Sequence, residues 1–192
     1  MFDYTNYVNN YLEESVTIAE KQKDLTKEIL DISKQFIDCI ENNGKIIVFG
    51  NGGSASDSLH IVAELIGRFK KERKALPAIS LSSNISVITA IANDYGYENI
   101  FLKQIEGVYK DNDVIFAIST SGESENIIKA LDYSKKKGLK TVGFTGSKKN
   151  RMINLCDLIL KAPSENPALI QQCHITVGQL ICGIVEDYFF RD

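Results

Sequence analysis

The chain has 192 residues, 44% of them hydrophobic and 24% charged, with a formal net charge of -3 at pH 7. That length buries one substantial core, and no shift of composition marks a second domain, so residues 1–192 read as one unit. The balance excludes a disordered chain, and the mildly acidic charge offers no basic field to a nucleic-acid backbone.

Lysine clusters at Lys70, Lys71 and Lys74 and at Lys135–Lys137 read as solvated faces. Cys39, Cys156, Cys173 and Cys182 make no Cys-x-x-Cys pair, which fits a reducing compartment. The start, Met1, Phe2, Asp3 and Tyr4, lacks the basic and apolar regions of a signal peptide. No apolar run approaches the roughly 20 residues that span a bilayer. The expected location is the cytoplasm, with no membrane contact and no direct nucleic-acid partner.

In chain order, Tyr4, Tyr7, Tyr11 and Leu12 recur at helical spacing, as do Leu25, Ile29, Ile32, Phe36 and Ile40. They predict a helical pair over about 3–43, ended by Asn43 and Gly44. Its apolar faces can be covered by the chain's own sheet or by a partner subunit. Beyond it, five β-branched runs alternate with helical patterns: Lys45–Gly50, Ala78–Leu81, Asp113–Ser119, Lys140–Thr145 and Asp157–Leu160. Strand-then-helix repetition implies a parallel sheet with helices on both faces, an α/β three-layer sandwich. Pro167–Phe190 predicts one long final helix with proline where a helix start tolerates it.

Ligands of such sheets bind beyond the carboxyl ends of the strands. Two loops there are unusual. Asn51, Gly52, Gly53 and Ser54 follow the first strand, giving close backbone approach and a helix N-terminus for an anion. Ser119, Thr120, Ser121 and Ser124 crowd the loop after the third strand, where hydroxyls and amides can surround a phosphate. Taken alone, this second loop also reads as a plain turn with Ser124 as an N-cap. Neither loop has a dinucleotide or P-loop spacing, so no nucleotide cofactor is expected. His60 and Glu64, four residues apart, share one face of the helix after the first loop.

The runs Phe49–Arg68, Arg73–Leu81, Ile91–Tyr97 and Ile118–Gly122 resemble the SIS (sugar isomerase) domain family, and within it the phosphoheptose isomerases. The resemblance implies a five-stranded parallel sheet, a homotetramer with active sites at subunit interfaces, and zinc in several members. It also implies conversion of sedoheptulose 7-phosphate to D-glycero-D-manno-heptose 7-phosphate, toward the heptose of bacterial lipopolysaccharide or capsule. By resemblance Glu64 is the catalytic glutamate and a metal ligand, and His60 and Gln171 are metal ligands. Asn51, Gly52, Gly53, Ser54, Ser119, Thr120, Ser121, Ser124 and Gln171 contact the substrate, with Arg68, Asn93 and Asp94 near the sugar.

The final helix departs from the family pattern. Leu169, Gln172 and Ala168 stand where an arginine, a glutamate and an acidic residue are usual, and Gln179 occupies the place of a second catalytic, zinc-binding histidine. Glutamine does not titrate and is a weaker zinc ligand. Gln179 therefore also motivates two alternatives. One is a non-catalytic phosphosugar-binding protein acting through a protein partner, like the replication-initiator-associated relatives. The other is an isomerase for another sugar phosphate. His174, five residues before Gln179, reads as a satisfied structural histidine.

Overall fold

A computed structural model describes residues 3–191. Met1 and Phe2, part of the start judged to lack a leader, and Asp192 lie outside the described residues. Helix α1 (Tyr4–Lys21) begins where Asp3 accepts the Asn6 amide, and a 3-10 turn (Gln22–Leu25) leads into α2 (Thr26–Glu41). Asn43, with φ 60°, then reverses the chain so that the Gly44 amide reaches Cys39. Asparagine tolerates that left-handed geometry better than most residues.

The alternating units follow as β1 (Ile46–Gly50), α3 (Gly53–Ile66), β2 (Ala78–Ser80), α4 (Ile85–Tyr95), α5 (Ile100–Val108) and β3 (Val114–Ile118). They continue with α6 (Glu125–Lys136), β4 (Lys140–Thr145), β5 (Leu158–Lys161) and α7 (Pro167–Phe190). Each expected strand is present, its ends displaced by no more than one residue. The five strands form one parallel sheet in the order β2-β1-β3-β4-β5.

Period-two alternation splits the strand side chains between two cores. Ile46, Val48, Val114, Phe116, Ile118, Val142 and Phe144 face α2, α3 and α7. Ile47, Phe49, Ile115 and Ala117 face α5 and α6. Phe116 joins the layers of the first core, with ring centroids 5.5 Å from Phe36 and 4.6 Å from Phe144, both edge-on. Edge-on pairs add about 0.5–1.5 kcal/mol beyond area burial.

One expectation is corrected here. By length and composition α7 is long and apolar enough to cross a bilayer, but half of that stretch is buried inside the protein. Its apolarity is that of a core helix: Leu169, Cys173, Val177, Ile181 and Val185 pack toward α2, α3 and the sheet. α1 buries only Ile18 and leaves Val8, Leu12 and Val16 more than half exposed.

His174 is fully buried on α7 beside the Phe144 ring, 5.4 Å between centroids. Its Nε2 lies 3.2 Å from the Thr145 carbonyl, and Nδ1 has no protein partner. A carbonyl only accepts, so Nε2 carries the proton and the ring is neutral. Burial pushes its pKa down to about 4, opposed by the Thr145 bond. An unfolded histidine binds its proton below about 6.5. Between these values the unfolded chain holds the extra proton, so stability falls as pH drops through that window. We expect the wild type to lose about 3 kcal/mol more than His174→Gln between pH 7 and 4 in urea titrations, the shift converted at about 1.4 kcal/mol per unit. Parallel profiles for the two proteins would contradict the burial argument.

Candidate functional site

The strand order reverses direction at β1, which has β2 on one side and β3 on the other. Open parallel sheets bind ligands at such a switch point. The register pairs Gly50 with Ile118, so the two unusual loops leave the sheet side by side. Asn51 and Asn126 then exchange reciprocal amide bonds of 2.9 Å, and the Tyr97 hydroxyl donates to Asn51 Oδ1 at 3.1 Å. These contacts tie the first loop to the start of α6 and to the segment after α4.

In the first loop Gly52 has φ 55°, a geometry that disfavours any side chain, and it turns the chain into α3. Ser54 is buried at the base of that turn. Gly53 leaves room for the Gln171 side chain: a Cβ there would lie 2.4 Å from its Nε2. The Gln171 amide of α7 is thus seated on the first loop.

In the second loop Ser119 is buried and its Oγ accepts the Gly122 amide at 3.1 Å, while Ser121 Oγ accepts the Glu123 amide at 3.2 Å. Gly122 has φ 64° and abuts the Asn150 side chain. Ser124 occupies the N-cap position of α6, yet its hydroxyl makes no capping bond. The plain-turn reading gives Ser124 that bond, and the structure lacks it. Beside this loop is a cavity of about 290 Å³, lined in part by Thr120, Ser121, Ser147 and Lys148.

The third part of the site is on α3 and α7. His60 Nε2 is 3.0 Å from Glu64 Oε1 and 3.4 Å from Gln179 Nε2. The His60 side chain is 47% exposed and that of Glu64 19%. An ionised carboxylate only accepts, so the Glu64 contact uses the Nε2 proton of His60. That nitrogen cannot then also accept from the Gln179 amide, and Gln179 and Glu64 compete for it. One helical turn earlier, Asp57 keeps Oδ2 buried and unpartnered. Burial pushes its pKa up to about 6, against the lowering effect of His60.

Other expected residues lie apart. Arg68 pairs loosely with exposed Glu72 at 3.5 Å, and Asn93 donates to neighbouring Asp94 at 2.8 Å, both exposed. Neither group hydrogen-bonds the two loops among the described residues. Sequence reasoning missed Asn126 as a site residue, since a single asparagine in a helical stretch carries no local signal. Tyr97 lay within a family-like run but had no assigned role.

Known proteins share this fold. A model of the SIS domain matches residues 3–146. A phosphoheptose isomerase from a Nitratiruptor species is 45% identical over 178 residues, covering 93% of this chain and 95% of that protein. The chain belongs to the SIS domain family, in its phosphoheptose isomerase branch. A phosphoheptose isomerase of Clostridium acetobutylicum is 43% identical over 190 residues, 97% of each chain. The solved phosphoheptose isomerase of Francisella tularensis superposes with a TM-score of 0.93 at 32% identity, covering 97% of this chain and all of that one. That of Neisseria gonorrhoeae gives 0.90 at 30% identity, covering 96% and 100%.

The zinc implied for the family is tested by the donor set of this SIS domain. His60 and Glu64 are strong ligand types, whereas Gln171 and Gln179 offer neutral amides. Among the described residues no group of three or more histidine, cysteine, aspartate or glutamate side chains converges. A catalytic zinc site carries three such protein ligands, so this set falls short of a tight zinc site.

The Gly53 contact yields a test. In Gly53→Ala the methyl group displaces the flexible Gln171 amide rather than backbone, so thermal stability should stay near wild type. The KM for sugar phosphate should rise about tenfold, or about 1.4 kcal/mol of lost contact. An unchanged KM would mean that Gln171 does not report on the loop.

Proposed function

We propose that this chain is an isomerase interconverting sedoheptulose 7-phosphate and D-glycero-D-manno-heptose 7-phosphate, with residues 1–192 forming one SIS domain. The observation that carries the reading is the His60–Glu64 pair, held at 3.0 Å on the first helix beyond the switch-point loop. A protein that had abandoned chemistry would not need that pair, which favours catalysis over the partner-binding alternative.

The phosphate is received between the loops, by Thr120, Ser121, Ser124 and the backbone at Gly52 and Gly53. Hydroxyls and amides bind a phosphomonoester without a fixed cation, so the product also leaves. The sugar chain then runs toward α7 past Gln171, with Asn51 as a polar wall. Arg68, Asn93 and Asp94 are assigned to the sugar hydroxyls, reached when the assembly closes around the ligand.

Isomerisation moves a proton from C1 to C2 through an enediol. The Glu64 carboxylate takes the C1 proton of the open-chain ketose and returns it to C2, while the hydroxyl proton of O1 ends on O2. His60 and Gln179 hydrogen-bond the two oxygens as negative charge develops on them. No step is routed through a metal; zinc bound at His60, Glu64, Gln171 and Gln179 would add Lewis-acid polarisation of the oxygens.

A homotetramer is the assembly that suits this chain. Its support is the exposed apolar stripe Val8, Leu12 and Val16 on α1, Ile85 at 75% exposure on α4, and the open face of His60. A reducing cytoplasm suits four free cysteines.

Replacing the base tests the reading. Glu64→Gln should bind sugar phosphate about as well as wild type but turn over about 10²–10⁴-fold more slowly, in an assay following aldose formation. Turnover that survives the change would sink the mechanism. Gln179→His adds a third strong ligand next to His60 and Glu64, so this variant should keep one zinc per chain through gel filtration while the wild type loses it. Equal zinc retention, read by elemental analysis, would show that the amides suffice.

A further inference from the structure

The segment between α3 and β2 carries the lysines read as a solvated face, yet it is fastened from within. Arg73 and Glu186 side chains are 1% and 2% exposed and meet at 2.9 Å between Nε and Oε2. The rest of the guanidinium fork is directed at backbone carbonyls. Nη2 donates to Glu64 at 2.7 Å, and Nη1 donates to Leu65 at 2.8 Å, Gly67 at 3.0 Å and Lys74 at 3.1 Å. Glu186 in turn accepts the amides of Phe69, Lys70 and Lys71 at 2.9, 2.7 and 3.0 Å. Burial pushes the Glu186 carboxyl up, but these amides and Arg73 outweigh it and hold it below the usual range.

The last turn of a helix leaves carbonyls without partners and carries the negative end of the dipole. Arg73 satisfies that end of α3 with a buried cation. The turn it caps is the one that holds Glu64, and the carbonyl bound by Nη2 is that of Glu64 itself. Glu186 lies seven residues beyond Gln179 on α7, two turns along and on the same side. The ion pair therefore joins α3 to α7 on the side where His60 meets Gln179. Burying an ion pair is seldom the most stable solution, because apolar residues of similar volume often do as well or better. Here the fork adds something apolar residues cannot, a fixed position for the carbonyls of the base-bearing turn.

We propose that Arg73 and Glu186 are positioning residues of the isomerase site, clamping the last turn of α3 to α7 so that the Glu64 carboxylate is held at the reacting carbon. This rests on Glu64 being the base. Two variants test it in the intact protein, with the wild type and Glu64→Gln assayed alongside. Arg73→Lys keeps the charge but loses the planar fork. The double variant Arg73→Met with Glu186→Leu replaces the pair by apolar volume and leaves no buried charge unpaired.

Both variants should fold, as judged by circular dichroism, and keep the KM for sedoheptulose 7-phosphate within about twofold. Their kcat should fall about 10–100-fold, the scale expected for a displaced catalytic group. The primary isotope effect with C1-deuterated substrate should rise, because a misplaced base makes proton removal limiting. A folded double variant with wild-type kcat and isotope effect would overturn the proposal, as would a loss confined to KM. Failure of the underlying reading has a different signature, a wild type and a Glu64→Gln variant with equal turnover.

Discussion

Everything functional in this chain depends on the parallel pairing of β1 with β3. In that register Gly50 stands opposite Ile118, and both strands end together at the edge where the sheet changes direction. Neither loop alone makes a site. The first supplies backbone approach and a helix start, the second supplies hydroxyls, and only adjacency makes them two walls of the phosphate receptor proposed above. The Asn51–Asn126 exchange is the local lock on that adjacency, because each amide satisfies the other's donor and acceptor. Its energy is modest, about 0.5–1.5 kcal/mol for each hydrogen bond, but it fixes a distance that the sheet alone leaves to two flexible loops.

The proposed chemistry, by contrast, depends on how α3 lies against α7. Those helices share one core through Ile61, Leu65, Val177, Ile181 and Cys182, a contact that is apolar and tolerant of small slides. Gly178 allows the closeness, since a Cβ there would come 2.7 Å from Ile61 Cδ1. Apolar packing sets how near the helices come, while directional bonds set their register. Glu186, accepting three backbone amides and Arg73, supplies most of that direction. An isomerase needs both, because a carboxylate displaced by about an ångström loses its line to the carbon.

The fold was legible because its signals are local. β-branched runs set the strands to within one residue, and glycines marked the loops. His60 and Glu64 were legible for the same reason, being four residues apart on one helix. Gln179 was identified by its departure from a family pattern, and the structure places it 3.4 Å from His60. Arg73, Glu186 and Asn126 were not legible as parts of the site. Arg73 and Glu186 are 113 residues apart, and nothing in an arginine among lysines or a glutamate in an apolar helix announces a buried pair. The apolar length of α7 was underread, because a core helix wrapped by α2 and α3 passes the same composition test as a membrane span.

Exposure of the proposed catalytic pair sets a further constraint. As the proposed base, Glu64 works only where water is scarce enough for it to reach carbon rather than solvent, and an enediol left open to water leaks its proton. Yet His60 is nearly half exposed, and Leu59 and Leu180 on the same two helices are 43% and 50% exposed. Apolar side chains flanking a wet catalytic pair make sense when something apolar covers them during the reaction. The stripe of α1, which buries a single residue of its own chain, has the complementary character. On the proposed reading the switch point binds the phosphate within one chain, and covering the reacting carbons falls to a second copy of the chain.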